Sequence, residues 1–316
     1  MNFPWRIFVT VIPLIMAMIA LQFFVPDNDL RAAMPSDWWK SHLKPEGYSG
    51  GFIGYATASS VHILMCITVI AFNLYHIWAC TAATRRNLIT IAVLYTLLLS
   101  VLLLVTKNPD LAVYKITFLN IKELYEGTRL FGVLQDSLGF HVMLPTLFGI
   151  AATIFAATGA ESLFADFDKE ASKLNQLELK AKIAILKRGF QSLSVVLVST
   201  IIAAAIAFHL PARLYQGEGE KLINAYADEL TIFWGAIFTL TLIATYAPHL
   251  FRLRSLSKAY AKQLRKSQPD SSLPDWLSDT ALFGNLQTHL GAIFTLLAPL
   301  ITGSIGSVIQ SLSAVS

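Results

Sequence analysis

Charged and apolar positions are segregated along this chain. Seven apolar blocks without a single Asp, Glu, Lys or Arg, at 7–25, 56–83, 88–106, 138–158, 190–210, 231–250 and 290–312, are separated by polar connections. Each block approaches or exceeds the roughly 20 residues that a helix needs to cross a hydrocarbon core of about 30 Å. The pattern predicts an all-α integral membrane protein of about seven transmembrane helices. Bulk composition agrees, with 55% hydrophobic and 14% charged residues. A cleaved secretory signal is the other reading of the first block, but no small-x-small cleavage site follows it.

Because the blocks are uncharged, every base lies in a connection, and the bias of bases between the two sides predicts orientation. Fifteen bases and eight acids fall on the side of Arg6, and nine bases and twelve acids on the other, so the faces carry about +7 and −3. The basic face is expected in the cytoplasm, which puts the N-terminus inside and the C-terminus outside. The resulting plan has transmembrane helices one to four with short external loops over 1–160, a cytoplasmic helical hairpin over 161–188 and helices five and six over 189–251. A basic cytoplasmic helix and linker follow over 252–285, and the seventh helix over 286–316.

The external connections read as short pieces, the first with interfacial Trp38 and Trp39 and a turn at Gly50-Gly51, the second containing 120–134. Residues 161–187 lack Gly and Pro and are rich in Ala, Leu, Glu and Lys, so helices four and five are expected to continue beyond the membrane and turn back near Lys173-Leu174-Asn175. Leu163, Phe167, Leu174, Leu177, Ala181 and Ala184 form an apolar seam there, to pack the two arms together or to face another subunit. Residues 252–266 read as a basic amphipathic helix, ended by a Pro269–Pro274 linker.

Candidate chemistry is sparse. The blocks contain no carboxylate or base of the kind that couples ion or proton transport, although Pro13, Pro145, Pro248 and Pro299 predict helix breaks. Walker, GxSxG and HExxH motifs are missing, and the reading is of a protein that is not an enzyme. The most ordered polar signal is on the second block, where Ser59, His62, Cys66, Asn73, His76 and Cys80 share one helix face that must meet protein or water rather than lipid. His62 and His76 are fourteen positions apart, which at about 100° per residue stacks them roughly 21 Å from each other. The spacing resembles the haem-ligating helices of b-type cytochromes. It gives an alternative reading as a haem b electron carrier, with His141 or His209 and His249 as partner ligands. A second fourteen-spaced pair is missing, and a buried packing stripe is the preferred reading. Cys66 and Cys80 are too far apart on one helix to bond, and no tetrahedral metal set is offered.

The last block joins Pro299 to Thr302, Gly303, Ser304, Gly306, Ser307 and Gln310, residues that pack closely or line a narrow uncharged water path. With Asn73, Thr241 and Thr245, the residues Thr302, Ser304, Ser307 and Gln310 are the candidate pore lining. Gly149, Ala152, Ala156 and Gly159 on the fourth block form a packing face. Twelve bases on the hairpin and the basic helix set topology and meet lipid headgroups. In the sharper reading Lys182, Lys187, Arg188, Arg252, Arg254, Lys258, Lys262 and Arg265, with Tyr260 for stacking, bind a nucleotide or short single strand.

A helical bundle without coupling charges, a hydroxyl-rich last helix and basic cytoplasmic helices predict a homo-oligomeric channel of three to five copies, with no cofactor. In this layout the chain resembles the membrane-spanning channel effectors of bacterial antiphage systems, including the Hailong channel protein gated by a DNA oligomer. The resemblance implies a bacterial inner-membrane location and a channel, gated by an anionic signal, whose opening depolarises the cell. A subunit that anchors a larger complex is a further alternative.

Overall fold

The computed structural model describes residues 5–24, 48–106, 129–164, 176–209, 218–267, 297–298 and 301–302. Six helices account for nearly all of them: α1 (Trp5–Phe24), α2 (Tyr48–Trp78), α3 (Ala82–Thr106), α4 (Arg129–Ser162), α5 (Gln176–His209) and α6 (Glu218–Ser267). No strand occurs among the described residues. Five stretches are long and apolar enough to cross a membrane, namely Gly54–Trp78, Ala82–Val101, Leu144–Ser162, Leu177–His209 and Asn224–Leu264. The described apolar part of α1, Arg6–Ala17, is shorter. The seventh expected span lies outside the described residues except for helical residues at 297–298 and 301–302.

Helix α4 is the centre of the bundle and touches each of the other five. Its sequence explains this position, since a helix rich in Ala and Gly lets neighbouring backbones approach closely in a solvent where lipid and Leu are equally apolar. Ala152, Ala156 and Ala160 are buried against Cys66 and Val69 of α2, Leu193 and Val196 of α5, and Leu242 and Tyr246 of α6. On another side, Ile154 packs with Val11 of α1 and Ala92 and Leu99 of α3. Side chains pointing outward are large and apolar, among them Leu64, Leu94, Leu97, Leu98, Val195 and Leu240. An apolar core beneath an apolar exterior is the arrangement that a lipid surrounding favours.

Several expectations change. Pro13, Pro145 and Pro248 lie within continuous helices rather than at breaks, since each removes only one N–H and neighbouring helices hold the backbone in place. Gly50 and Gly51 are part of α2 instead of a turn, and 129–137 extends α4. The second span stops at Trp78, because residues 79–81 turn before α3 begins. The basic helix is not a separate element: α6 runs unbroken for 50 residues, about 75 Å.

The hairpin differs most. α4 ends at Ser162 and turns at Leu163–Phe164, so the first arm does not continue as helix there. Leu177, at 75% exposure, points outward together with Ala181 and Ala184. Leu179, Ile183, Leu186 and Phe190 face the core instead. Both sets recur at helical spacing, and the wider, bulkier face was the one that α4 and α6 cover. Phe167, Leu174 and the predicted turn at 173–175 lie outside the described residues, as do Trp38 and Trp39.

Close approach of α2 and α4 depends on Gly159, where an added Cβ would collide with the Asn73 carboxamide. Gly159→Ala is therefore expected to destabilise the detergent-solubilised protein by about 1–3 kcal/mol, and Asn73→Ala should suppress much of that loss in the double variant. Gly54→Ala, where nothing lies within 4 Å, should be neutral or slightly stabilising. Thermal or denaturant unfolding of the four variants measures this directly.

Candidate functional site

The polar stripe of α2 is buried as a packing seam. Ser59, His62, Cys66 and Asn73 are buried, and His76 and Cys80 are partly covered. His62 stands between α4 and α5, with Nε2 3.2 Å from the Pro145 carbonyl and Nδ1 2.9 Å from the Ser199 hydroxyl. A carbonyl only accepts, so Nε2 carries the proton, and Nδ1 of the neutral ring accepts from Ser199 or from Thr200 at 3.4 Å. Cys66 Sγ lies 3.4 Å from Nε2 and closes the remaining side. Asn73 donates to the Val69 carbonyl of its own helix at 2.8 Å.

Among the described residues, His209 and His76 have contacts of their own. His209 Nδ1 lies 2.8 Å from Asn224 Oδ1 and its Nε2 3.1 Å from Asp228 Oδ1, joining the end of α5 to the start of α6. His76 meets Phe72 and Tyr75 edge-on. The His141 side chain lies outside the described residues. His62 shows no space for a planar macrocycle, since its two nitrogens engage helices on either side and an added Cβ on Gly149 would sit 3.4 Å from Nε2. His62, His76 and His209 therefore serve packing and tethering.

The candidate pore hydroxyls of α6 are also turned inward. Thr241 and Thr245 are completely buried and donate to the carbonyls four residues earlier, at 2.8 and 2.7 Å, the usual way of satisfying a hydroxyl inside an apolar bundle. Thr302 does the same toward Ala298 at 2.7 Å and is half-buried. Ser304, Ser307 and Gln310 lie outside the described residues.

The most concentrated charge surrounds the C-terminal end of α4. A helix leaves its last carbonyls without intrahelical donors and carries a partial negative charge there. In this helix the chain supplies the donors from all around: Ser162 Oγ to the Gly159 carbonyl at 2.6 Å, Phe164 N to Glu161 at 3.0 Å, Lys182 Nζ to Leu163 at 2.7 Å and Arg252 to Phe164 at 3.2 Å. Cys80 Sγ adds a weak donor 3.6 Å from the Ser162 carbonyl. Glu161 adds a full negative charge at the same end. Arg6 donates to its Oε1 and Oε2 at 3.0 and 3.3 Å, and Arg252 lies 3.6 Å from Oε1. The Arg6, Glu161 and Arg252 side chains are 24%, 14% and 14% exposed. His249, with no exposure, is stacked on Phe164, and its Nδ1 is 3.6 Å from Glu161 Oε2.

Of the basic ligand candidates, Lys182 and Arg252 thus belong to this hub, and Lys182 also lies 3.4 Å from Glu178. Arg254, Lys258 and Lys262 form an exposed row on α6, turned away from the buried face of Leu253, Ser257 and Tyr260. Among the described residues no ion pair engages the row. Lys187 and Arg188 are exposed on α5, and Tyr260 is buried rather than available for stacking. The Arg265 side chain lies outside the described residues. The importance of Glu161 and Arg6 was missed because they are 155 positions apart. The available signal was that Arg6, Glu161 and Arg252 are each the charge that flanks an apolar block on one predicted side.

No protein-family model, curated protein or solved structure matches the chain. Fold and site geometry are therefore the basis for a functional reading. If His62 is a packing residue, His62→Leu should lower stability by about 1–3 kcal/mol through loss of the buried hydrogen bonds that join α2 to Pro145 and Ser199 and leave the oxidised and reduced absorption spectra unchanged. Loss of a haem band in that variant would overturn the packing assignment.

Proposed function

We propose that this chain is a homo-oligomeric ion channel, and not an enzyme, gated by an anionic ligand at the basic end of α6. In this reading seven helices cross a bacterial inner membrane with the N-terminus inside and the C-terminus outside, and three to five copies surround the conduction path. The observation that carries the reading is the exposed row of Arg254, Lys258 and Lys262, unpaired with acids among the described residues, on the same continuous helix as the buried Leu242 and Tyr246. Because the row and these packed residues lie on one continuous helix, a displacement of the row is coupled to the packing around it. A phosphate-bearing ligand, a nucleotide or short single strand, fits a row of like charges that would otherwise repel.

In a single copy Thr241, Thr245 and Asn73 are buried and bonded to their own helices. We therefore assign the path to the axis between copies. There Thr302, Ser304, Ser307 and Gln310 of the last apolar block would supply an uncharged polar wall. The resemblance in layout to antiphage channel effectors supports a role in defence, with depolarisation as its output.

The experiment is ion flux from liposomes containing the purified protein, with and without a single-stranded deoxyoligonucleotide of about ten nucleotides, within the usual site sizes of strand-binding proteins. Ligand-dependent flux is expected. Reversing Arg254, Lys258 and Lys262 to Glu should raise the required ligand concentration at least about tenfold, and more steeply at low ionic strength. An unchanged ligand response in the triple variant would remove the row as the site, and no flux under any condition would remove the channel.

A further inference from the structure

The hub at the end of α4 ties together three helices that also pack against one another, α6 through Leu253 and Tyr260 beyond the hub. Arg6 comes from the start of α1, Glu161 from the last turn of α4, and Arg252 from the point where α6 leaves its most apolar part. One carboxylate serves both guanidiniums, unequally: Arg6 donates to both oxygens, at 3.0 and 3.3 Å, whereas Arg252 lies 3.6 Å from one and gives its own hydrogen bond to the Phe164 carbonyl at 3.2 Å. Arg252 is thus the looser of the two. Its guanidinium also sits over the Phe164 ring, 5.1 Å from the centroid.

Four positions earlier stands Pro248, inside the continuous helix. Proline has no N–H, so the Ala244 carbonyl lacks its usual intrahelical donor, and a helix bends most easily at such a place. Beside it His249 is completely buried, and neither ring nitrogen has a hydrogen bond among the described residues. Beyond the hub α6 presents Arg254, Lys258 and Lys262 outward. A weak point, a charged fastening and an exposed basic row therefore follow one another within 15 residues of one helix.

We infer that Glu161 is a latch: shared between Arg6 and Arg252, it holds the basic arm of α6 against the bundle, and release of Arg252 lets the arm swing about Pro248. The inference rests on reading the arm as the ligand-receiving element. An anion on Arg254, Lys258 and Lys262 pulls from the side facing away from the bundle, so binding and latching oppose each other. Glu161 is a positioning residue, acting through Arg252. Release does not undo the end of α4, because Lys182 and Cys80 continue to hold its carbonyls. The bond from Arg6 to Glu161 persists and keeps α1 in place.

The test reads the arm directly, independently of conduction. Spin labels are placed at Ala184→Cys on α5 and Lys266→Cys near the end of α6, both exposed positions, in a Cys66→Ala, Cys80→Ser background. Labelled protein is diluted into unlabelled protein in nanodiscs, and double electron–electron resonance measures the distance within one copy. Glu161→Gln and Arg252→Gln should each lengthen the distance by at least about 5 Å, one turn of helix rise, and raise the released population about tenfold, within the range of ordinary coupling between sites. Arg6→Gln should leave the arm in place, because it frees the carboxylate for Arg252, and Arg252→Lys should fall between.

Coincidence of the Glu161→Gln and Arg252→Gln distributions with wild type would overturn the latch. So would equal displacement by Arg6→Gln, which would mark the hub as general support. If Glu161→Gln does not fold, the contrast between Arg252→Gln and Arg6→Gln decides. Arm release in a protein that never conducts would sustain the latch while the channel reading fails.

Discussion

The end of α4 is the constraint on which the rest of the bundle depends. A helix terminus must have its carbonyls satisfied, and in an apolar surrounding water is a poor partner. At that end and in the Leu163–Phe164 turn that follows it, this chain supplies donors from outside the helix: Lys182 from α5, Arg252 from α6 and Cys80 just after α2. Glu161 increases the negative charge there and recruits Arg6 from α1. Four helices are therefore referred to one terminus, and their other ends lie where chain direction requires. His209 and Asp228, at the far end of α5 and early in α6, form the corresponding tie on the opposite side.

Between these two polar ends the bundle is held by shape. Gly159 admits Asn73, and Gly189 on α5 admits the Tyr246 ring, whose hydroxyl would lie 3.0 Å from an added Cβ. The buried hydroxyls of Thr153, Thr158, Thr231, Thr241 and Thr245 are returned to their own helices. His62 is the exception, a polar side chain that bridges three helices through Pro145 and Ser199. Helix association in lipid gains little from hydrophobic burial, so close backbone contact and a few bridging hydrogen bonds have to supply the difference. The small residues of α4 allow the first, and the α2 stripe supplies the second.

How much of this was legible in the chain depends on the kind of signal. The apolar blocks announced helices because hydropathy is a property of a stretch and needs no partner. The α2 stripe was legible as a buried face, since six polar residues in phase on an apolar helix cannot all meet lipid. Which face of α5 packs within the chain was not legible, because Leu177, Ala181 and Ala184 and the set Leu179, Ile183 and Leu186 have the same period and differ only in phase. Proline was overread as a breaker, since Pro145 and Pro248 each remove one hydrogen bond without ending the helix.

By itself the sequence determined that the protein is helical and membrane-seeking, and which faces are polar. These follow from local composition and from the 3.6-residue period, which every residue carries with it. Only the tertiary structure decided that α4 is central, that His62 is a bridge, that Thr241 and Thr245 turn inward and that Glu161 is shared by Arg6 and Arg252. Such facts join residues separated by 83, 155 and 91 positions. Periodicity along one helix says nothing about which neighbour will occupy the facing groove, so contacts of this kind exist only once the helices have packed.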